Sequence, residues 1–307
     1  MKRLSLSLQG KLNYTISPSN KPTLTVEPGE TVVVETEDAF TGQIKKPGDK
    51  RDTITIPYPN PQTGPILVRG AEKGDTLVVE IRDIKPTLGQ GATRIPSYWW
   101  YLGEPGSSAI ARFLSVELPH GSRICPIRDS EVYFSERIIL PYEPFIGTIG
   151  TAPEIEALST YYPGPHGGNM DLPDVCVGNR LYLPIRVGGA LLHLGDVHAV
   201  QGDAEICGTA VEIPAECTLV VDLIKGVSLP WPRIESPDHI MAVSSSGSGR
   251  TLEDAIRIAF IELIRWLEGE HGFDRWDAYQ LCTQVARVRL GNLWTVAAKF
   301  PKKYLTK

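Results

Sequence analysis

Glu27-Pro-Gly-Glu-Thr-Val-Val-Val-Glu35 recurs closely as Glu72-Lys-Gly-Asp-Thr-Leu-Val-Val-Glu80 and more loosely as Thr218-Leu-Val-Val-Asp222. A polar turn, a threonine, three aliphatic residues and an acid is strand chemistry, because β-branched side chains pack well on a half-buried pleat. The intervals between the three copies are irregular. That excludes a solenoid, whose repeats keep a fixed period, and predicts a recurring hairpin of a β-sandwich.

Working outward, Asn60-Pro-Gln-Thr-Gly-Pro65 reads as a Pro/Gly turn delivering the chain to the second copy, and Leu181-Tyr-Leu-Pro-Ile-Arg186 as another strand. Helical spacing appears only late in the chain. Thr251 with Asp254 three residues on forms a capping-box pattern, followed by Leu252, Ile256, Ala259, Phe260, Leu263 and Leu267. Asp274 with Asp277 opens a second helix through Tyr279, Leu281, Cys282, Val285 and Ala286. Strands first and helices late predict an α+β, mostly β protein: a β-sandwich of the jelly-roll or CUB-like kind with the helices packed on a sheet. The 307 residues, with 25 prolines and 29 glycines, suit one turn-rich unit spanning 1–307, with a subdivision near 130–170 as the alternative.

The net charge of -5 and the absence of a basic stripe argue against nucleic-acid partners and anionic membranes. The early positive charges of Met1-Lys-Arg-Leu-Ser-Leu-Ser-Leu-Gln-Gly10 precede no long apolar run, and no stretch approaches the ~18 apolar residues of a membrane span. A cytoplasmic protein is the default expectation. The cysteines at 125, 176, 207, 217 and 282 are odd in number and form no CxxC pair, which fits reduced thiols.

Candidate chemistry concentrates in Gly188 to Glu212, GGALLHLGDVHAVQGDAEICGTAVE, which holds His193, His198, Asp196, Asp203, Glu205, Glu212 and Cys207. Asp196 and His198 are two apart, which on an extended strand puts both on one face, as a metal-binding pair requires. The competing reading is a solvated hairpin with acids facing water. Asp38, in the loop after the first strand copy, is either a functional acid or a turn residue. Pro144 to Glu154 is a Gly/Thr loop whose amides could meet an oxyanion, with Glu154 at its end, or else an ordinary connection. His166, among glycines and prolines in Tyr162-Pro-Gly-Pro-His-Gly-Gly-Asn-Met-Asp171, is expected to be exposed or to line a cleft. Trp99, Trp100 and Tyr101 could wall a pocket, but aromatic residues more commonly fill a core or an interface.

Together these stretches resemble the acetamidase/formamidase family. Its hallmark Gly-Asp-x-His-Ala, Gln-Gly-Asp-Gly-Glu and Cys-Gly run is matched by Gly195-Asp196-Val-His198-Ala199, Gln201-Gly-Asp203-Ala204-Glu205 and Cys207-Gly208. Asp38 with Gly42-Gln43, Asn60-Pro61 to Gly64-Pro65, Gly147-Thr148 through Ala152-Pro153-Glu154, and Gly164 to Asp171 match in the same order. Ala204 departs from the family glycine. The resemblance implies a β-rich sandwich, hydrolysis of short linear amides, a divalent metal, zinc before calcium, and a homodimer or larger homo-oligomer. It implies Asp38, His166, Asp196 and His198 as metal ligands, and Gly147, Thr148 and Gln201 as substrate-binding residues. It offers Glu154 and Glu205 as candidates for the catalytic base, with Glu154 favoured by its place on the Gly/Thr loop and Glu205 left to order the ligand strand. A non-catalytic calcium-binding sandwich and another metal-dependent hydrolase of small carbonyl compounds are the rival readings. The first is disfavoured by the histidines, which are poor ligands for that hard ion. No Gly-x-Ser-x-Gly elbow is present for a serine amidase.

Overall fold

The three repeated segments become neighbouring strands of one sheet. In the computed structural model, which describes residues 1–52, 54–95, 121–247 and 250–305, Ala215–Ile224 lies antiparallel between Glu30–Thr36 and Thr76–Pro86. They are thus not turns of one recurring hairpin. Each pairs with a copy distant in sequence, and the similarity reflects a shared environment. Val32, Leu219 and Ile81 stand side by side across the three strands and are fully or almost fully buried. Val34, Cys217 and Ile84 form the next buried row.

This nine-stranded sheet continues through Arg180–Pro184, Arg233–Glu235, His239–Ser245, Thr295–Pro301 and Arg287–Leu290. Along that half, strand alternation sorts side chains to two covered faces. Met241, Val243 and Ala297 join the main core. Ile240, Ala242, Val296, Ala298 and Phe300 turn the other way, onto the helices Leu252–His271 and Arg275–Val285. The first helix opens with the expected capping box, Thr251 Oγ1 accepting from Asp254 N while the Asp254 carboxylate reaches back to Thr251. The second is capped by Asp274, which accepts from the amides of Trp276 and Asp277. The late helices therefore form as the sequence predicts, and they cover the strands nearest to them in the chain.

The second, eleven-stranded sheet is built around Leu192–His198, whose seven residues are all buried. Phe145–Gly150 pairs along one edge, and the other edge is shared between Glu212–Ile213 and Gln62–Val68. Ile66, Ile146, Ile149, Leu192, Leu194, Val197 and Ile213 meet the first sheet across the main core. The result is the mostly β, two-sheet sandwich expected, with helices on one outer face. Trp99, Trp100 and Tyr101 lie outside the described residues, none of whose helices is long and apolar enough to cross a membrane.

Because Leu219 is fully buried in the strand joining the other two copies, Leu219→Ala is expected to cost about 2–5 kcal/mol through lost transfer energy and a residual cavity. Urea unfolding should show a lowered midpoint with unchanged slope; an unaltered midpoint would contradict this core assignment.

Candidate metal and catalytic site

Gly147 and Asp196 face each other where the ladder between Phe145–Gly150 and Leu192–His198 is interrupted, with regular pairs on either side at Ile146/Val197 and Thr148/Gly195. Asp196 takes a left-handed backbone conformation, φ 57°. Gly147 leaves the space that acids need: a Cβ there would lie 2.6 Å from Asp171 Oδ1 and 3.0 Å from Asp196 Oδ2. Its carbonyl also accepts from the amides of both Met170 and Asp171, drawing the second acid in. Glu212 enters from the neighbouring short strand, where it pairs with His198.

The group so assembled is centred on His198 Nε2, which lies 3.2 Å from Glu212 Oε2, 3.3 Å from Asp196 Oδ1 and 3.9 Å from Asp171 Oδ1. All four side chains are buried. Each carboxylate has one oxygen held and the other turned inward. Asp196 Oδ2 accepts from Asn60 Nδ2 and Thr148 Oγ1, Asp171 Oδ2 from Asn292 Nδ2, and Glu212 Oε1 from Ala210 N. The inward oxygens Asp171 Oδ1 and Glu212 Oε2 have no hydrogen-bond partner among the described residues.

Gln201 fixes the orientation of the histidine. Its Nε2 donates to the carbonyls of Asp171 and Gly291, so its Oε1 must accept, and it accepts from His198 Nδ1 at 2.9 Å. With the ring proton committed to Nδ1, Nε2 is the nitrogen that faces the carboxylates, the arrangement metal-binding histidines use. Glu205 completes the group: a carboxylate oxygen of Glu205, one of Glu212 and a ring nitrogen of His198 lie within 4.8 Å of one another, as do the corresponding atoms of Asp171, Asp196 and His198. Glu205 is partly exposed as a residue while its carboxylate is buried against the cluster, and no hydrogen bond ties that carboxylate among the described residues.

Electrostatics follow from this crowding. Burial alone would push the His198 imidazole down, but Glu212 and Asp196 outweigh it and hold its pKa well above the usual value. Burial, reinforced by Asp196, raises Asp171 to about 7. Burial and then Asp171 hold Glu205 well above the carboxylate range, and burial also raises Glu212. Among the described residues, no lysine or arginine forms an ion pair with these four acids. A buried excess of negative charge with inward-facing unpaired oxygens is unstable unless protonated or matched by a cation. The donor set of one imidazole nitrogen and several carboxylate oxygens therefore fits a divalent metal.

The other expected site residues are placed as follows. Asp38 is buried, and its Oδ1 caps a turn by accepting from Phe40 N and Gly42 N. Burial raises it to about 7, with Glu37 and Glu212 adding to the effect, so it stands near the group without joining the ligand clusters. Thr148 is turned onto Asp196 and Asn169, and Gln201 onto His198, so both hold members of the cluster in place. Glu154 is not brought to the site; it lies on the surface in an ion pair with Lys73. His166 is not brought there either. It precedes Gly167, which pairs with Gly150, and Gly150 pairs with His193 at the opposite end of the central strand from His198. Nor is His166 exposed: Gly150, Gly164 and Gly168 let its ring press against backbone, leaving the residue 4% exposed. Asp171 and Glu212 were visible only as the end of a glycine-rich motif and as one acid among several. Asn60, Asn169 and Asn292 gave no individual signal.

A sandwich carrying a buried carboxylate-histidine group of this kind defines a candidate metal-site protein. The Acetamidase/Formamidase family pattern matches residues 11–162 and 155–293, and the chain belongs to that family. The crystal structure of an acetamidase from Yersinia enterocolitica superimposes with a TM-score of 0.91 at 42% identity, covering 100% of this chain and 94% of the other. The acetamidase of Mycolicibacterium smegmatis is 30% identical over 66% of this chain and 63% of its own length. A putative formamidase of Schizosaccharomyces pombe is 28% identical over 66% and 62%. The chain thus spans a little under two thirds of these two curated relatives.

Two expectations follow. Gly147→Ala should displace Asp171 and Asp196 and weaken divalent-metal binding at least tenfold, as losses of the groups orienting metal ligands do; titration calorimetry showing unchanged affinity would refute this. Burial lowers His166 and His193 to about 4 each from 6.5. Each is therefore neutral in the fold and takes up its proton more readily when unfolded, so stability falls as pH drops below 6.5 and keeps falling to about 4. His166→Gln should remove roughly 2 kcal/mol of the stability lost between pH 8 and pH 5, measured by urea unfolding at both pH values. An identical pH profile in the variant would exclude a buried neutral His166.

Proposed function

We propose that this chain hydrolyses short linear amides, of the formamide and acetamide kind, to a carboxylate and ammonia, using a divalent cation held by Asp171, Asp196 and His198 with Glu212 beside them. The observation that carries the reading is the set of inward oxygens left unpaired around a histidine whose Nδ1 proton is committed to Gln201. Family membership and the acetamidase and formamidase relatives support the substrate class. Zinc suits the imidazole better than calcium does. When bound, such an ion supplies Lewis acidity that polarises the amide carbonyl and makes water more acidic at neutral pH.

Amide hydrolysis must make water a nucleophile and nitrogen a leaving group. We assign both roles to Glu205; that its carboxylate reaches the cluster from a partly exposed loop and is not held by a hydrogen bond supports the assignment. It takes a proton from water as the water oxygen bonds to the carbonyl carbon, then gives that proton to nitrogen as the C–N bond breaks. Asn60 and Thr148 hold Asp196, Asn292 holds Asp171, and Gln201 holds His198, so the acids do not rotate away when charge moves. Glu154, on the surface with Lys73, has no such access. The five free cysteines agree with a cytoplasmic setting. A surface groove lined by Ile261, Ile264, Trp276 and Tyr279 together with Arg265 and Arg275 supports assembly into a homo-oligomer.

Ammonia release from formamide and acetamide tests the reading. Turnover should be lost on chelation and restored by zinc, and His198→Ala should lose metal and activity together. Glu205→Gln should retain metal and lower kcat by about 10²–10⁴ with KM little changed. Turnover indifferent to chelation would remove the metal from the mechanism. Stoichiometric metal without turnover of any amide would establish the binding-module reading instead.

A further inference from the structure

Glu205 is the least comfortable member of the site. It and Ala204 adopt consecutive left-handed conformations, φ 45° and 74°, which side-chain-bearing residues rarely take. At Ala204 the family glycine would avoid that strain. The Glu205 carboxylate is also repelled by Asp171, Glu212 and Asp196. A loop strained in its backbone and repelled at its tip stays in place only if something else holds it.

The hold comes from the C-terminal hairpin of the other sheet. Arg289, in the strand Arg287–Leu290, donates from Nε to Asp203 Oδ1 at 2.8 Å and from Nη1 to Asp174 Oδ2 at 3.4 Å. Asp174 is buried and gripped from its other oxygen by Lys299 Nζ at 2.6 Å, so the arginine is anchored at its far end. Ala204 N donates to Leu290 O, and Ala204 pairs in parallel with Asn292. The same hairpin turn presses Gly291 onto the backbone of Met170 and Asp171, while Asn292 Nδ2 holds Asp171 Oδ2. One turn thus touches both the loop of Glu205 and the segment of Asp171.

We propose that Arg289, bridging Asp203 and Asp174, is a positioning residue that holds the loop 201–205 so that Glu205 reaches the metal and substrate site. The inference rests on the reading of Glu205 as the catalytic base. As an isolated surface pair the Arg289–Asp203 contact would contribute little to stability, since both side chains are partly exposed. Its effect is geometric, and a displacement of ~1 Å at a reacting group is enough to cost about 10²-fold in rate.

The full-length, zinc-loaded protein is compared with Arg289→Ala, Arg289→Lys and Asp203→Asn. Arg289→Ala should lower kcat by about 10–100-fold with KM and metal content little changed. Arg289→Lys should fall between, because a lysine is a point charge that cannot fork between two acids. Hydrogen exchange should speed up in peptides covering 201–208 of Arg289→Ala while the core strands stay protected. In a Glu205→Gln background, Arg289→Ala should cause no further loss, because both changes act through one group. Should Arg289→Ala fail to fold, Asp203→Asn carries the same test from the exposed side of the pair. Wild-type kcat and wild-type exchange in both Arg289→Ala and Asp203→Asn, or an undiminished effect of Arg289→Ala on top of Glu205→Gln, would overturn the inference. If Glu205→Gln is itself fully active, the assignment of the base fails and this inference with it; if Glu205→Gln is inactive and the two loop variants are silent, the inference alone fails.

Discussion

Four carboxylates converging on one imidazole inside a β-sandwich is the constraint to which the rest of the molecule answers. Like charges a few ångströms apart in a poorly solvated interior repel strongly, and no protein would retain them without compensation. The compensation is arranged at two distances. Close in, the imidazole and the unpaired oxygens provide for a cation. One layer out, Asn60, Thr148, Asn292, Gln201 and the amide of Ala210 bind the opposite edges of Asp196, Asp171, Glu212 and the histidine, so that each of these four can turn only one way. These neutral groups add no charge of their own, and so leave the preference for a cation intact.

Backbone geometry is fitted to the same end. Asp196, within the central strand, and Asp171, just beyond the short strand Gly167–Asn169, both sit in left-handed conformations, φ 57° and 48°. In each case the departure from extended geometry lets a carboxylate turn toward His198 from a sheet that otherwise packs aliphatic side chains. Gly147 contributes by having no side chain at all. The cost of such conformations, of order 1–3 kcal/mol each, is borne by a large core in which the central strand is buried along its whole length.

What was legible in the sequence was whatever depends on near neighbours. The existence of the three strands, the capped helices and the nearness of Asp196 to His198 rest on local spacing and are found, although the strands pair with one another rather than in recurring hairpins and Asp196 departs from the extended backbone that the spacing assumed. What was not legible depends on pairing across the chain. Glu212 matters because its strand lies beside His198, and Asp171 because the carbonyl of Gly147 draws it in. Glu154 and His166 were attractive because each sits on a glycine-rich stretch close in sequence to the ligands. Yet one side of that loop faces solvent, and the histidine packs at the far end of the strand. Sequence distance to a site is a poor guide in a sandwich, where a strand of seven residues already spans about 23 Å from end to end.

The strand Ala215–Ile224 has a consequence for biosynthesis. Among the described residues it is the one strand hydrogen-bonded to both Glu30–Thr36 and Thr76–Pro86, yet it is translated more than a hundred residues after the second of them. At ribosomal elongation rates of about 5–20 residues per second, both earlier strands wait on the order of ten seconds with an aliphatic edge unpaired. For that interval the nascent chain displays two similar sticky edges that could zip to each other, or to a neighbour on the same polysome, in place of the partner still to come. Slower synthesis lengthens that interval, so the order in which these strands emerge bears on how the sandwich is reached, separately from how stable it is once complete.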